Sequence, residues 1–179
     1  MPATQTEHVP HSSEDFPAFD PERLREVQRR HELLTEYLHL RKLDALLLRR
    51  SANIAWLTCG GEVQRAGSCE SLASVLITPD ARVVLTNNVD SPLLFDGPFA
   101  GLGFQLKERP WYEPCDRLCA DICRGRQVGS DTVLQGIECV DTDLADARSR
   151  VLGWEESHLR DLGRELAHAV EATCRHCAE

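Results

Sequence analysis

The sequence predicts an α/β domain in which a mixed β-sheet carries flanking helices. Three observations lead to this fold class. Short apolar runs alternate with segments of helical periodicity, and two of the apolar runs are joined by a tight turn. The composition is that of a globular protein, with 42% hydrophobic and 27% charged residues. A chain of 179 residues suits one domain with a sizeable core.

The first predicted element is a helix that begins at Pro21. Asp20 is suited to cap it, proline is favoured at the first helical position, and Glu22 lies at the positive end of the helix dipole. Apolar residues then recur at helical spacing, so we expect one buried face. The helix is predicted to end near Leu40 or Arg41.

Strands are predicted for the apolar and β-branched runs that follow. Residues 43–48 are almost wholly apolar, as in a central strand covered on both faces. Residues 72–78 and 82–86 flank Pro79, Asp80 and Ala81, which favour a tight turn, so the two runs predict a hairpin. Two further strands are predicted, at residues 103–108 and 127–130.

The second half of the chain alternates these strands with helices. Residues 91–99 predict a short helix or loop, and residues 114–123 and 138–150 predict helices. A long amphipathic helix starts at Trp154, and its apolar residues form one stripe. The stripe needs a surface to cover it. The helix either packs on the same domain or is the linker and first helix of another domain.

The most specific segment lies between the first two strands. Residues 53–60 read Asn-Ile-Ala-Trp-Leu-Thr-Cys-Gly and come soon after a buried strand that ends in two arginines. This succession resembles the amino-terminal domain of the creatinase, prolidase and aminopeptidase P superfamily, whose catalytic half has the pita-bread fold. The resemblance runs from Pro21 to the carboxyl end and implies a sheet of the ribonuclease H-like type. Outside residues 53–60 it rests on general α/β patterning.

This resemblance implies that the chain is the non-catalytic, amino-terminal domain of a metal-dependent Xaa-Pro aminopeptidase or prolidase-like hydrolase. The domain would serve dimerisation and active-site access. Residues 1–20 are then a disordered leader, residues 21–150 the domain, and residues 151–179 the linker and first helix of a catalytic domain. The family's catalytic half holds two divalent metal ions (Mn, Co or Zn) on two Asp, one His and two Glu. None of these ligands matches a position in this chain, so no cofactor is expected in it.

The resemblance also implies partners and candidate residues. The expected partners are the chain's own catalytic domain and a second subunit in a homodimer, with a peptide as the substrate of the parent enzyme. In the family, the amino-terminal domain of one subunit borders the active-site mouth of the other. By that analogy the candidates for substrate access are Trp56, Glu62, Gln64, Arg65 and Trp111. A core role is the alternative for the two tryptophans.

Charge and targeting signals exclude some functions and locations. A formal net charge of -9 argues against nucleic-acid binding, which needs clustered excess of Lys and Arg. The first twenty residues lack the basic start and apolar run of a secretory signal, and no run approaches the roughly 18 apolar residues of a membrane span. The sequence therefore predicts a cytoplasmic protein with reduced thiols.

Eight cysteines leave a second function open. Cys115, Cys119 and Cys123 would share one helix face, where core packing is favoured over a metal site. Cys174 and Cys177 have the spacing of a redox motif but close a helix, where the dipole does not lower a thiol pKa. The alternative to a hydrolase domain is a stand-alone thiol-active, zinc-binding or interaction module. A protein that has lost the catalytic half of such an enzyme is a third interpretation.

Overall fold

The computed structural model describes residues 20–65, 67–68 and 71–177. The predicted leader lies outside this range except for its last residue, Asp20. The helices of the described part are α1 Pro21–Arg41, α2 Ser51–Leu57, α3 Ser91–Asp96, α4 Cys115–Cys123, α5 Asp141–Arg148 and α6 Gly153–Cys177. The strands are β1 Ala45–Leu48, β2 Ser74–Ile77, β3 Arg82–Asn87, β4 Gln105–Arg109, β5 Val128–Ser130 and β6 Glu138–Cys139.

The strands form one mixed sheet in the order β4-β3-β2-β1-β5-β6. The predicted hairpin is confirmed, because β2 and β3 pair antiparallel with Val75 opposite Val84. Strand β2 also pairs antiparallel with β1, whereas the β1–β5, β3–β4 and β5–β6 pairs are parallel. Five strands therefore run in one direction and β2 alone runs against them. The predicted α/β fold class is confirmed.

Side chains that alternate along the strands build a core on each face of the sheet. On one face Leu46, Leu48 and Val75 pack with residues of α1, α2 and α5. On the other, Leu47 and Leu76 pack with the apolar residues of α4. This face is thus covered by α4, a helix of nine residues, together with Leu134 and Ile137 of the segment after β5.

Helix α1 begins and ends close to where the sequence predicts. The Asp20 side chain accepts hydrogen bonds from the backbone N–H groups of Glu22 and Arg23, at 2.9 and 3.0 Å. The helix ends at Arg41, and Lys42 then adopts a left-handed conformation with a φ of 56°. Its buried residues include Leu34 and Leu38, as expected of the predicted apolar face.

Two parts of the chain differ from the predicted secondary structure. The helix expected from residue 138 begins at Asp141, because Glu138 and Cys139 pair with Gly129 and Ser130 as strand β6. The segment of residues 53–60, for which the sequence predicts no particular element, contributes most of helix α2. Helix α2 lets the chain reverse direction between β1 and the hairpin.

Candidate functional site

The carboxyl ends of the five parallel strands meet at one edge of the sheet. Arg49 follows β1, Asn88 follows β3, Trp111 comes just after β4, and Asp131 follows β5. In open α/β sheets, ligands commonly bind outside this edge. Two of the candidate access residues, Arg65 and Trp111, contact the turn after β3 at this edge, whereas Trp56 lies within α2.

Asp131 organises the centre of this edge. It is fully buried, and its carboxylate accepts hydrogen bonds from the backbone N–H groups of Arg49 and Arg50, at 2.8 and 2.9 Å. A third bond, of 2.8 Å, comes from the Asn53 side-chain amide. Asn53 is the first residue of the segment 53–60. It therefore has a structural role, because it holds the start of α2 against the loop after β5.

Trp56 is part of the core. Its side chain is 9% exposed and packs among residues of the first core face. The Trp56 carbonyl accepts a hydrogen bond from the guanidinium of Arg30, which also lies over the indole ring at 5.2 Å from the centroid. The structure thus places Trp56 beneath the surface, where its indole is not available to a substrate.

The candidates that follow α2 lie nearer the surface. Glu62 and Arg65 are exposed, and Gln64 forms an isolated antiparallel bridge with Ser71. The Arg65 guanidinium lies 3.4 Å from a carboxylate oxygen of Asp90, in the turn after β3. This turn is built by Asn87, whose side chain binds the backbone N–H of Asp90 and donates to its carboxylate.

Trp111 also contacts this turn. Its backbone N–H donates to the Asn88 side-chain oxygen at 2.8 Å. The indole is 67% exposed and meets the ring of Tyr112, itself 70% exposed, edge to face at 6.0 Å. The structure therefore brings Arg65 and Trp111 to the same turn at residues 87–90, and it leaves two adjacent aromatic rings exposed there.

The helical cysteines are arranged as packing groups. Cys119 and Cys123 are buried beside Leu118 in the second core face, and burial raises the pKa of both thiols. Burial likewise raises the pKa of the Cys115 thiol. Thiols with raised pKa values carry little thiolate at neutral pH, which disfavours a nucleophilic role.

Among the residues that the structure describes, no group of three or more His, Cys, Asp or Glu side chains is arranged to hold a metal ion. No described helix has the length and apolar character needed to cross a membrane.

Helix α6 is attached at its beginning and exposed beyond it. The buried guanidinium of Arg30 binds the carboxylates of Glu26 at 3.1 Å and Glu155 at 2.9 Å. Trp154 packs against Val27 and its neighbours. None of the residues of α6 is buried, and the apolar stripe is between 54% and 61% exposed at Leu159, Leu162, Leu166 and Val170.

Arg30 and Asp131 stabilise the fold, and no pattern in the sequence identifies either of them as a buried charge. Each is a charged residue with almost no exposed surface, at 1% and 0%. The only sequence signal for Asp131 is its position directly after the predicted strand of residues 127–130. Arg30 lies among several arginines of α1, so nothing in the sequence separates it from Arg29, which is exposed.

Comparisons with known proteins give similarity of fold without similarity of sequence. No family model matches the chain, and no curated protein matches it. Solved structures do match. A dipeptidase, PepE, from Mycobacterium ulcerans has a TM-score of 0.54 and 14% identity, over 69% of this chain and 36% of that one. A proline dipeptidase from Streptococcus pneumoniae has a TM-score of 0.52 and 10% identity, over 68% of this chain and 98% of that one.

Other solved structures also match the chain. The creatinase/prolidase N-terminal domain of an X-Pro dipeptidase from Streptococcus pyogenes is 9% identical, over 57% of this chain and 75% of that one, with a TM-score of 0.43. The chain spans about a third of the length of the Mycobacterium ulcerans dipeptidase, with 36% covered. The chain thus shares the fold of the two dipeptidases with TM-scores of 0.54 and 0.52, as the resemblance of residues 53–60 predicts.

Proposed function

We infer that this chain is the non-catalytic, amino-terminal domain of a metal-dependent Xaa-Pro aminopeptidase or prolidase-like hydrolase. In that enzyme it pairs subunits and borders the active-site mouth. The observation that carries the proposal is the fold shared with two dipeptidase structures, since the match covers only 36% of the longer one, as one domain of a larger enzyme would. A fold by itself does not fix a function, so the surface of the domain supplies the remaining support.

Two surfaces support the proposal. The exposed stripe of α6 lies beyond an anchored first turn, as expected of a helix that continues into a catalytic domain. Arg65, Trp111 and Tyr112 surround one turn at the carboxyl edge of the sheet. Aromatic and arginine side chains are enriched where proteins meet partners, because they bring large contact area and several hydrogen-bond donors.

In this proposal the metal ions are bound by the catalytic domain of the enzyme. The two ions (Mn, Co or Zn) would activate water and polarise the peptide bond there. This chain would supply none of their ligands. Its own residues would position a second subunit and limit which peptides enter the site.

The first experiment assays the chain alone with Mn, Co or Zn and Xaa-Pro peptides. We expect no hydrolysis above that of the metal ion by itself. Turnover that depends on the chain would overturn the assignment of catalysis to another domain.

The second experiment uses the full-length gene product. Reading the coding sequence beyond residue 179 is expected to reveal a further domain with spaced Asp, His and Glu ligands. In that enzyme, Trp111→Ala and Arg65→Ala should raise KM more than they lower kcat, because they border the site without touching the metal ions. An unchanged KM in both variants would contradict the role in substrate access.

A third experiment examines the stripe of α6. Leu162→Lys and Leu166→Lys should leave the stability of this chain within about 0.5 kcal/mol of the wild type, because both side chains are already exposed. The same changes in the full-length enzyme should lower its stability by several times that amount. Equal effects in the two proteins would show that nothing covers the stripe.

The alternative function, a thiol-active or zinc-binding module, stays a prediction. The raised thiol pKa values of α4 do not favour it. Stoichiometric zinc that remains after dialysis of the purified chain would support it.

A further inference from the structure

Two cavities meet at the ion pair between Arg49 and Asp116. The first is an apolar groove of about 470 Å³ between α4 and the segment after β5, and Leu47, Ala120, Leu134 and Ile137 line it. The second is a polar cavity of about 370 Å³, to which Ser71, Ser74 and Cys115 contribute. Arg49 and Asp116 line both, so the ion pair stands between an apolar and a polar compartment.

The ion pair presents a cation and an anion side by side. The Arg49 Nη2 donates to Asp116 Oδ1 at 2.6 Å, with 28% and 73% of the two side chains exposed. This bond uses one of the five guanidinium N–H groups and one carboxylate oxygen, so both partners retain bonding capacity. The position of Arg49 is fixed, since its backbone N–H is held by buried Asp131.

The charges of the polar side are balanced. A smaller cavity of about 150 Å³ shares Arg49, Ser74 and Cys115 with the polar cavity. It is also lined by Arg65 and Asp90, which form a second ion pair. The polar wall therefore carries two cations and two anions. A ligand with a single charge would be attracted by one member of each ion pair and repelled by the other. A zwitterion can place its negative group beside an arginine and its positive group beside an aspartate.

The cysteines of α4 line both cavities as uncharged side chains. Cys119 and Cys123 line the apolar groove, and burial raises the pKa of both, so they are neutral groups that behave as small hydrophobic side chains. Cys115 lines the polar cavity, and the raised pKa of its thiol adds no further negative charge there. The two compartments are thus distinct in polarity and adjacent in space.

We propose that these joined cavities bind a free α-amino acid with an apolar side chain. Its carboxylate pairs with Arg49, its ammonium group pairs with Asp116, and its side chain enters the groove against Leu134 and Ile137. The volumes lie within the range of about 300–1,000 Å³ usual for small-molecule sites. This site is independent of the hydrolase assignment, because it uses groups of this chain alone.

The test is a titration of the isotopically labelled chain with L-leucine, followed by amide chemical shifts in NMR spectra. We expect saturable shifts at Ser74, Cys115 and Leu134. N-acetyl-L-leucine and L-leucinamide each lack one charge and should bind at least about tenfold more weakly, and glycine should also bind more weakly. The amide and the acetylated form also represent the two termini of a peptide, so equal binding of either would point to a peptide ligand and overturn the proposal.

Variants locate the site. Arg49→Met and Asp116→Asn should each lower the affinity for L-leucine at least about tenfold. Arg117→Met serves as the matched control, because Arg117 lies one position along α4 and is exposed. Ala120→Phe should block the groove without removing a charge. Absence of saturable shifts, or wild-type affinity in Arg49→Met with a native amide spectrum, would overturn the proposal.

Discussion

Asp131 is the buried carboxylate on which the centre of the sheet edge depends. It accepts hydrogen bonds from two backbone N–H groups and from Asn53. Removing it leaves three donors inside the protein without their acceptor, and each such loss costs free energy. Asp131→Ala is expected to lower the free energy of unfolding by about 3 kcal/mol, measured by urea denaturation. Asp146→Ala, at an exposed position of α5, should change it by less than about 0.5 kcal/mol, and similar effects in both would contradict the structural role.

Cys59 makes the stability of the domain depend on pH in the alkaline range. Burial raises the pKa of this thiol from 9.0 to about 11. The folded state therefore binds the proton more tightly than the unfolded chain, so the thiol's contribution to stability is fully present below pH 9 and is lost as the pH rises towards 11. We expect the free energy of unfolding to fall more steeply over this window in the wild type than in Cys59→Ala. Parallel pH profiles would show that the thiol ionises equally well in both states.

The sequence predicts the roles of single residues less well than it predicts helices and strands with a periodic pattern. Hydrophobic spacing reveals which side chains face the core, but a buried charge has no such signal. Asp131 and Arg30 are defined by partners that lie far away in the chain, such as Glu155, 125 residues beyond Arg30. The carboxyl-edge candidates Arg65 and Trp111 came from the family resemblance, and only the fold shows that one turn contacts both.

Helix α1 ends in a conformation that suits glycine better than lysine. Lys42 has a φ of 56° and a ψ of 40°, in the left-handed region where a Cβ is unfavourable. Lys42→Gly is expected to raise the free energy of unfolding by about 0.5–1 kcal/mol in a denaturation experiment. His39→Gly, within the last turn of the same helix, should lower it by a similar amount. Stabilisation by both changes would contradict the conformational explanation.

The elements that the sequence predicts are those whose signals are local. The cap of α1, the apolar run of β1 and the turn between β2 and β3 depend on neighbouring residues. Strand β6 contains two residues, and these are a strand only because β5 lies beside them. Its pairing is a property of the tertiary structure, so a pattern within residues 138–150 had no means of revealing it.

Across the whole molecule, Arg30 joins α6 to the rest of the domain. It is buried between Glu26 and Glu155 and donates to the carbonyl of Trp56. Arg30→Met leaves Glu26 buried without its cation and is expected to lower the free energy of unfolding by about 3 kcal/mol. Amide hydrogen exchange in the first turn of α6 should also become faster.

The neighbouring arginine provides the control for this prediction. Arg29 has a side chain that is 59% exposed and lies 3.9 Å from Glu26. Arg29→Met should change stability by less than about 0.5 kcal/mol and leave exchange in α6 unaltered. Protected amides at the start of α6 in Arg30→Met would show that Trp154 alone is sufficient to hold the helix.

The sequence also left the partner of α6 open at this scale, for a physical reason. Amphipathic periodicity shows that a helix has an apolar face but does not identify the surface that covers it. The structure decides one part of the question, since the stripe is not buried on its own domain. The sequence does not predict the joined cavities at Arg49 and Asp116 either, because the residues that line them come from β1, α4 and two loops.

The attachment of α6 by its first turn alone has a mechanical consequence. A helix of 25 residues is about 37 Å long, so it acts as a rigid lever whose pivot lies at Glu155 and Trp154. Rotation by about 10° at the pivot would carry the far end through about 6 Å. Small rearrangements of the side chains around Arg30 are therefore magnified at the distal end of the helix, where Cys174 and Cys177 would report them as changes in distance to the sheet.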